Sequence, residues 1–483
     1  MDHGTSLQLS TAEAQGISSA AVQSFIDAVE ERRLGVQSLI LMRNGRIVAE
    51  GWWRPYAEQL SHSMYSVSKS FTATAIGLAV SEGRLSVNDA VLSFFPSYVT
   101  PEIKANMEAL QVRHLLAMST GHEKDTFPLL TREPEGDWVR IFLSTPITYE
   151  PGTHFLYNTG ASFMLSAILQ SLTGQTVLEY LGPRLFQPLG IENAAWESNR
   201  DGINLGGTGL SIKTLDLAKL GQLFLQRGVW NGKRVVPEEW VEEASSIHTP
   251  NGDDPNDDWQ QGYGYQMWRC RHNAYRADGA FGQFSVIMPD QNAVLALTSG
   301  TSDMHAILDE VWKHILPGMH AEPLPDNAEA ANKLTKRLAD LALPLPEVLP
   351  AAPETAARIE KRTIRLEANE LRIEEVSLEF GQEESVFTAL DNKGVRHTIR
   401  CGRTDWISGT STLWYRRDSS TEMAVAAHGG WANEHTFVMT WQYVETPFCH
   451  VVTFDFGSDE IDVSIKIVPF WQDHDEHIKG HLV

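Results

Sequence analysis

Residues 36–53, VQSLILMRNGRIVAEGWW, set two apolar runs on either side of Asn44-Gly45. Asn and Gly tolerate the positive φ angles that a two-residue hairpin loop requires, so this pair joins two antiparallel strands. A second stretch of the same kind, GQFSVIMPDQNAVLALTSG, starts at Gly282 and turns at Pro289-Asp290. A helix is expected over 10–33, with Val22, Phe25, Ile26 and Val29 on one face, and another in SDMHAILDEVWKHIL after the second hairpin. The chain from about 90 to 260 reads mostly as helix broken by Pro and Gly loops. The pattern predicts one α+β domain whose antiparallel sheet is assembled from both ends of the segment.

Past residue 317 the composition changes. EPLPDNAEAANKLTKRLADLALPLPEVLPAAPETAA is rich in Pro and Ala and predicts a helical linker over 318–357. Runs such as RTIRLEAN, HTFVMTWQYV and CHVVTFDF then alternate and favour β-branched and aromatic residues, so 358–483 is expected to be all-β, a barrel or a sandwich. Its role would be to cap a site or to mediate association into a homo-oligomer.

A formal net charge of −23 opposes binding to nucleic acid or to an anionic membrane surface, both polyanions. Three widely spaced cysteines, Cys270, Cys401 and Cys449, fit a reduced compartment better than a disulfide framework. With no basic segment leading into an apolar run at the start, a cytoplasmic location is expected, although a removed leader would leave no trace. No H-E-x-x-H, paired C-x-x-C, P-loop or G-x-S-x-G occurs, so no metal, no cofactor and no α/β-hydrolase elbow is expected. His474, His477 and His481 near the end read as a solvated polar terminus.

The chemistry concentrates in HSMYSVSKSFTATAIGLAV, residues 62–80, where three serines crowd one lysine. A serine hydroxyl needs a neighbouring base to become a useful nucleophile. Ser66 and Lys69 are i and i+3 and share a helix face, whereas Ser68 and Ser70 adjoin the lysine and face elsewhere. A residue in the first turn also has free N–H groups and the helix dipole near a developing oxyanion. Ser at a helix start is equally ordinary capping chemistry, and S-x-x-K occurs by chance at about this frequency, so spacing alone leaves both readings open.

MYSVSKSFTATAIGLAVSEGRLSVNDAV resembles the first motif of the serine β-lactamase and penicillin-binding-protein superfamily, nearest to its class C-like esterases and peptidases. VRHLLAMSTGH, PGTHFLYNTGASFMLSAILQSLTG, LFQPLGIENAAW, GGTGLSIKTLDLAKLGQLFL and ADGAFGQFSVIMPD follow in that family's order, covering roughly residues 10–317. The resemblance implies a β-lactamase/transpeptidase-like fold and a catalytic set of Ser66, Lys69 and Tyr157, the last from FLYNTG. In that family lysine and tyrosine share the proton work. A phenol serves as base only when a cation such as Lys69 lowers its pKa. The resemblance also implies an oxyanion hole from the backbone N–H groups of Ser66 and of Ala280, on the strand after Gly279, with Thr159, Gly279, Phe281 and Gly282 around the substrate. Loops around 122–135 and 250–265 would form the pocket walls.

Two departures bear on the substrate. Penicillin-recognising members carry Lys or His, then Thr or Ser, then Gly at the third motif; here Ala277-Asp278-Gly279 stands there, without the cation. Thr159 stands where Asn is usual in the second motif. Both changes favour a small neutral ester or amide over a β-lactam or D-amino-acid peptide. Arg276 would replace the missing cation only if it faces the site. A catalytically silent binding protein with the same fold is the reading of another class.

Overall fold

A computed structural model describes residues 7–413, 422–469 and 475–483. The chain divides into two compact units. The first comprises residues 1–51, 61–299 and 303–340, and the second residues 52–60, 300–302 and 341–483.

Both hairpins meet in a seven-stranded sheet of the first unit, whose order is Gln8–Leu9, Arg46–Trp52, Val36–Arg43, Ala293–Ser299, Gln283–Met288, Tyr275–Gly279 and Trp268–Arg269. Asn44 and Gly45 have φ of 51° and 75°, the two positive angles of a tight hairpin loop. The hairpins join where Val36–Arg43 pairs antiparallel with Ala293–Ser299, Leu41 opposite Leu295. Every residue of these two strands is buried, as a strand covered on both faces requires. The N-terminal helix is shorter than the expected span, running Ser19–Glu31 after a 3-10 turn at Glu13–Gln15. Gly16 at φ 70° separates them, and the Glu13 carboxylate accepts from Ser19 N at 2.9 Å and Ser19 Oγ at 2.8 Å, capping the helix from outside it. Val22, Phe25, Ile26 and Val29 form its buried face.

The Ser68–Ser81 helix is buried nearly throughout and packs against the Thr159–Thr173 helix. Gly83, at φ 68°, closes it. The helix Ala328–Ala339, within the stretch read as a linker, packs on Ser19–Glu31, where Arg337 pairs with Asp27 and Glu30.

The second unit is a β-barrel. Among the described residues, nine strands close through a parallel bridge between Gly402 and His428, and a further strand, Ile407–Ser411, lies on Met423–Trp431. Burial alternates along Glu384–Asp391 and Ile461–Val468, as one inward and one outward face demand. Trp431 and Trp441 fill its core with Phe387, Phe437 and Phe454. His477 and His481 lie on the last strand, Asp475–Leu482; His474 lies outside the described residues. Among the described residues, no helix is long and apolar enough to cross a membrane, and no cluster of three metal-ligating side chains occurs.

Candidate active site

The three serines of the 62–80 stretch have different surroundings. Ser68 Oγ donates to Tyr65 O at 2.6 Å and accepts from Leu210 N at 3.1 Å, and Ser70 Oγ donates to Gln266 O at 2.8 Å. Both are sealed from solvent and tie the helix to its neighbours. Ser66 keeps partial exposure and sits in a 3-10 turn, Tyr65–Val67, just before the α-helix begins.

Lys69 is 1% exposed, and its Nζ lies 3.0 Å from Ser66 Oγ and 2.8 Å from Gly207 O. Burial disfavours the ammonium and lowers its pKa to about 7, against the opposing pull of Asp125 and Asp278. The lysine is therefore substantially neutral near pH 7. A neutral amine can keep one hydrogen on Gly207 O and turn its lone pair to the Ser66 hydroxyl. Gly207 carries no side chain because a Cβ there would come 2.7 Å from Thr159 Cγ2 and 3.0 Å from Thr159 O.

Tyr157 precedes the Thr159–Thr173 helix, and the Ser66 hydroxyl and the Trp268 indole both act on its phenol, each favouring the phenolate. A role as base requires Lys69 to lower the phenol's pKa. Instead burial dominates and raises it, helped by Asp278 and Asp125. Lys69 Nζ lies over the ring face, 4.8 Å from its centroid, where it meets the π cloud. Tyr157 is thus a phenol that can donate a proton, and the amine is the better base. Its ring stacks on Trp268 at 5.3 Å, and Tyr263 meets both rings edge-on.

Ala280 lies in the turn beyond the strand Tyr275–Gly279, not on the strand itself. Among the described residues, neither the Ser66 nor the Ala280 amide donates a hydrogen bond. A Cβ on Gly279 would overlap the Met64 carbonyl oxygen, so glycine lets this strand end pack on the backbone before Ser66. Tyr65 and Phe281 both have positive φ, at 48° and 66°, and their rings meet edge-on at 5.4 Å. Non-glycine residues hold such angles only where their surroundings fix them. Ser299 Oγ supplies part of that restraint, donating to Phe281 O at 2.7 Å and Gly282 O at 2.9 Å; Gln283 Nε2 donates to Ala280 O at 3.0 Å. Phe281 is only 2% exposed, so it supports the loop from beneath. Thr159 opens its helix, its amide donating to Asp125 Oδ1 at 2.9 Å, while Asn158 is buried against Thr126 and Thr120.

Arg276 is fully buried. Its Nε donates to Asp278 Oδ2 at 2.8 Å, its Nη1 to Asp258 O at 2.8 Å and Cys270 Sγ at 3.0 Å, and its guanidinium lies 4.2 Å above Trp259. These contacts hold it within the fold, and its Nη2 is buried without a hydrogen-bond partner among the described residues. The sequence reading placed Asp278 in the third motif without giving it a role, and it missed Asp125, Trp268 and Ser299 as parts of this site; Asp125 falls in one of the loops expected to wall the pocket, and Gln283 in the quoted stretch ADGAFGQFSVIMPD.

The beta-lactamase family model matches residues 21–316, and the chain belongs to that family. The 6-aminohexanoate-dimer hydrolase of Paenarthrobacter ureafaciens is 25% identical over 224 residues, 43% of this chain and 56% of that protein. The chain thus matches little more than half of that relative's length. Among solved structures, EstCE1, a hydrolase with promiscuous acyltransferase activity, superposes with a TM-score of 0.50 at 16% identity over 60% of this chain and 97% of its own. SurE does so at 0.50 and 18% identity over 87% and 93%. At these identities the likeness is one of fold.

Proposed function

We propose that the protein is a serine hydrolase that cleaves small esters or amides through an acyl-enzyme. The observation that carries this reading is Lys69, buried to 1% with a pKa of about 7 and 3.0 Å from a partly exposed Ser66 hydroxyl. Lys69 takes the Ser66 proton as Oγ bonds to the carbonyl carbon, and the carbonyl π electrons move onto oxygen. The amides of Ser66 and Ala280 receive that oxyanion. As the tetrahedral adduct collapses, the bond to the leaving oxygen or nitrogen breaks and Tyr157 supplies its proton; Lys69 returns its own proton to the phenolate. Water then attacks the acyl carbon, giving a proton to Lys69, and Ser66 leaves with that proton restored. The family membership and a relative named for hydrolysing the 6-aminohexanoate dimer support the same class of reaction. Three cysteines without disulfide partners fit a cytoplasmic setting.

A fluorophosphonate followed by intact mass measurement tests the reading. One adduct on the wild type and none on Ser66→Ala is expected; an adduct that persists in Ser66→Ala refutes it. Parallel assays with a chromogenic cephalosporin and a p-nitrophenyl ester separate this reading from a β-lactamase: turnover of the ester alone is expected, because Ala277 and the buried Arg276 leave no cation for a substrate carboxylate.

A further inference from the structure

The turn that carries Ala280 is held by two buried side chains to which the proposed reaction gives no part. Residues 280–282 join the paired strands Tyr275–Gly279 and Gln283–Met288. Phe281 is a non-glycine residue at φ 66°, a conformation that its surroundings must hold. The Gly282 amide closes the turn by donating to Gly279 O at 3.2 Å. Gly279 O and the Ala280 N–H belong to one trans peptide and point opposite ways. The same bond therefore directs the Ala280 N–H out of the turn.

The following peptide is fixed from the side. Gln283 is fully buried, and its carboxamide engages Oε1 and both hydrogens of Nε2. Oε1 accepts from Ser299 N at 3.3 Å, while Nε2 donates to Ser299 O at 2.8 Å and to Ala280 O at 3.0 Å. The two bonds to the Ser299 backbone fix the plane of the amide, and the remaining hydrogen holds the Ala280 carbonyl. Ser299 Oγ, equally buried, donates to Phe281 O at 2.7 Å and Gly282 O at 2.9 Å. A Cβ on Gly282 would come 2.1 Å from that hydroxyl, so glycine is what admits it. The carbonyls of three successive turn residues thus accept from two side chains that are locked to each other. An ordinary tight turn closes on one backbone bond and has no need of such a clasp. Its particular effect here is to tie down both peptide groups that flank the Ala280 Cα, so the Ala280 N–H resists rotation.

We infer that Gln283, with Ser299 as its partner, is a positioning residue that acts through the Ala280 carbonyl to keep the Ala280 amide aimed at the oxyanion. This rests on the acyl-enzyme reading above and adds to it the source of the donor's aim. The test is Gln283→Met, which keeps the length of the side chain and removes both amide hydrogens. Turnover of p-nitrophenyl acetate is measured as kcat per Ser66 titrated with a fluorophosphonate, so that unfolded protein does not count. A side chain that only stabilises the fold changes the number of titrated sites and leaves kcat per site alone.

In Gln283→Met, kcat per titrated site is expected to fall about 10- to 100-fold with KM within about threefold of wild type. A misaimed donor costs part of the roughly 100- to 1000-fold that a deleted one costs, and the bond forms only in the transition state. The loss should nearly vanish in a Gly279→Ala background, where the Ala280 amide is already displaced. A kcat per site within about twofold of wild type overturns the positioning role. So does a loss that persists in full beside Gly279→Ala, since Gln283 would then act elsewhere. If Gln283→Met does not fold, Ser299→Ala carries the same two predictions with a smaller loss, about threefold to tenfold, and the same two results overturn the role. A wild type that fluorophosphonate does not label overturns the acyl-enzyme reading together with this one; every other outcome leaves that reading standing.

Discussion

Gly279→Ala is the sharpest test of how the fold sets up the oxyanion hole. The added methyl would overlap the Met64 carbonyl oxygen, a backbone atom that cannot rotate away, and would also sit 3.0 Å from Gln283 Cβ. Restoring an ordinary contact requires the strand end to retreat by about 1 Å from the turn that carries Ser66. Ala280 follows Gly279 directly, so its amide retreats with it, while the Ser66 amide stays. Losing one oxyanion donor costs about 100- to 1000-fold in kcat, or roughly 3–4 kcal/mol of transition-state stabilisation. The protein should still fold, because Tyr275–Ala277 keep their pairing with Ser285–Ile287. The assay is pre-steady-state turnover of a p-nitrophenyl ester, with near-ultraviolet circular dichroism to confirm native packing. A folded Gly279→Ala with kcat within about twofold of wild type would refute the assignment of the Ala280 amide.

Other consequences follow from the same geometry. The acid limb of kcat/KM should titrate near pH 7, where Lys69 loses its proton; because Asp125 raises that value, Asp125→Asn should move the limb to lower pH, and a move upward would contradict the lysine as base. Tyr157→Phe should slow an alkyl ester or amide by about 100-fold or more, yet slow a p-nitrophenyl ester far less, since nitrophenolate leaves without a proton; equal losses on both would remove Tyr157 from the donor role. Ser299→Ala withdraws the hydroxyl that donates to Phe281 O and Gly282 O, so thermal unfolding should report a loss of about 1–3 kcal/mol together with reduced kcat; an unchanged melting temperature would show that the hydroxyl does not hold the loop.

What could be read from the sequence was what local rules decide. Asn44-Gly45 specifies its hairpin because two adjacent residues must take positive φ, and the mainly apolar strands Val36–Arg43 and Ala293–Ser299, buried at every residue, lie in the middle of the sheet. The proximity of Ser66 and Lys69 follows from i, i+3 spacing, even though a 3-10 turn replaces the first turn of the helix. The N-terminal helix was overextended because apolar periodicity does not register that Gly16 adopts φ 70° and that Glu13 caps from outside.

The roles of Asp125 and Ser299 depend on segments far apart in the chain, and no local pattern marks them. Arg276 illustrates the limit: strand alternation puts it on the face of Asp278, but only the position of Asp258, Cys270 and Trp259 decides that it is fully buried, with Nε and Nη1 bonded inside the fold and Nη2 without a partner among the described residues. Tyr157 reversed its expected pKa shift because the sequence argument counted a neighbouring cation and could not count burial.

Ser66, alone among its neighbouring serines, is expected to form a covalent acyl intermediate with Lys69 as its base. Quenching the p-nitrophenyl ester reaction in acid during its first turnover, digesting the protein and mapping the added acyl mass tests this directly. One acyl group is expected, on Ser66, and it should no longer accumulate in Lys69→Met. An acyl group on Ser68 or Ser70, or accumulation at the wild-type rate in Lys69→Met, would contradict it.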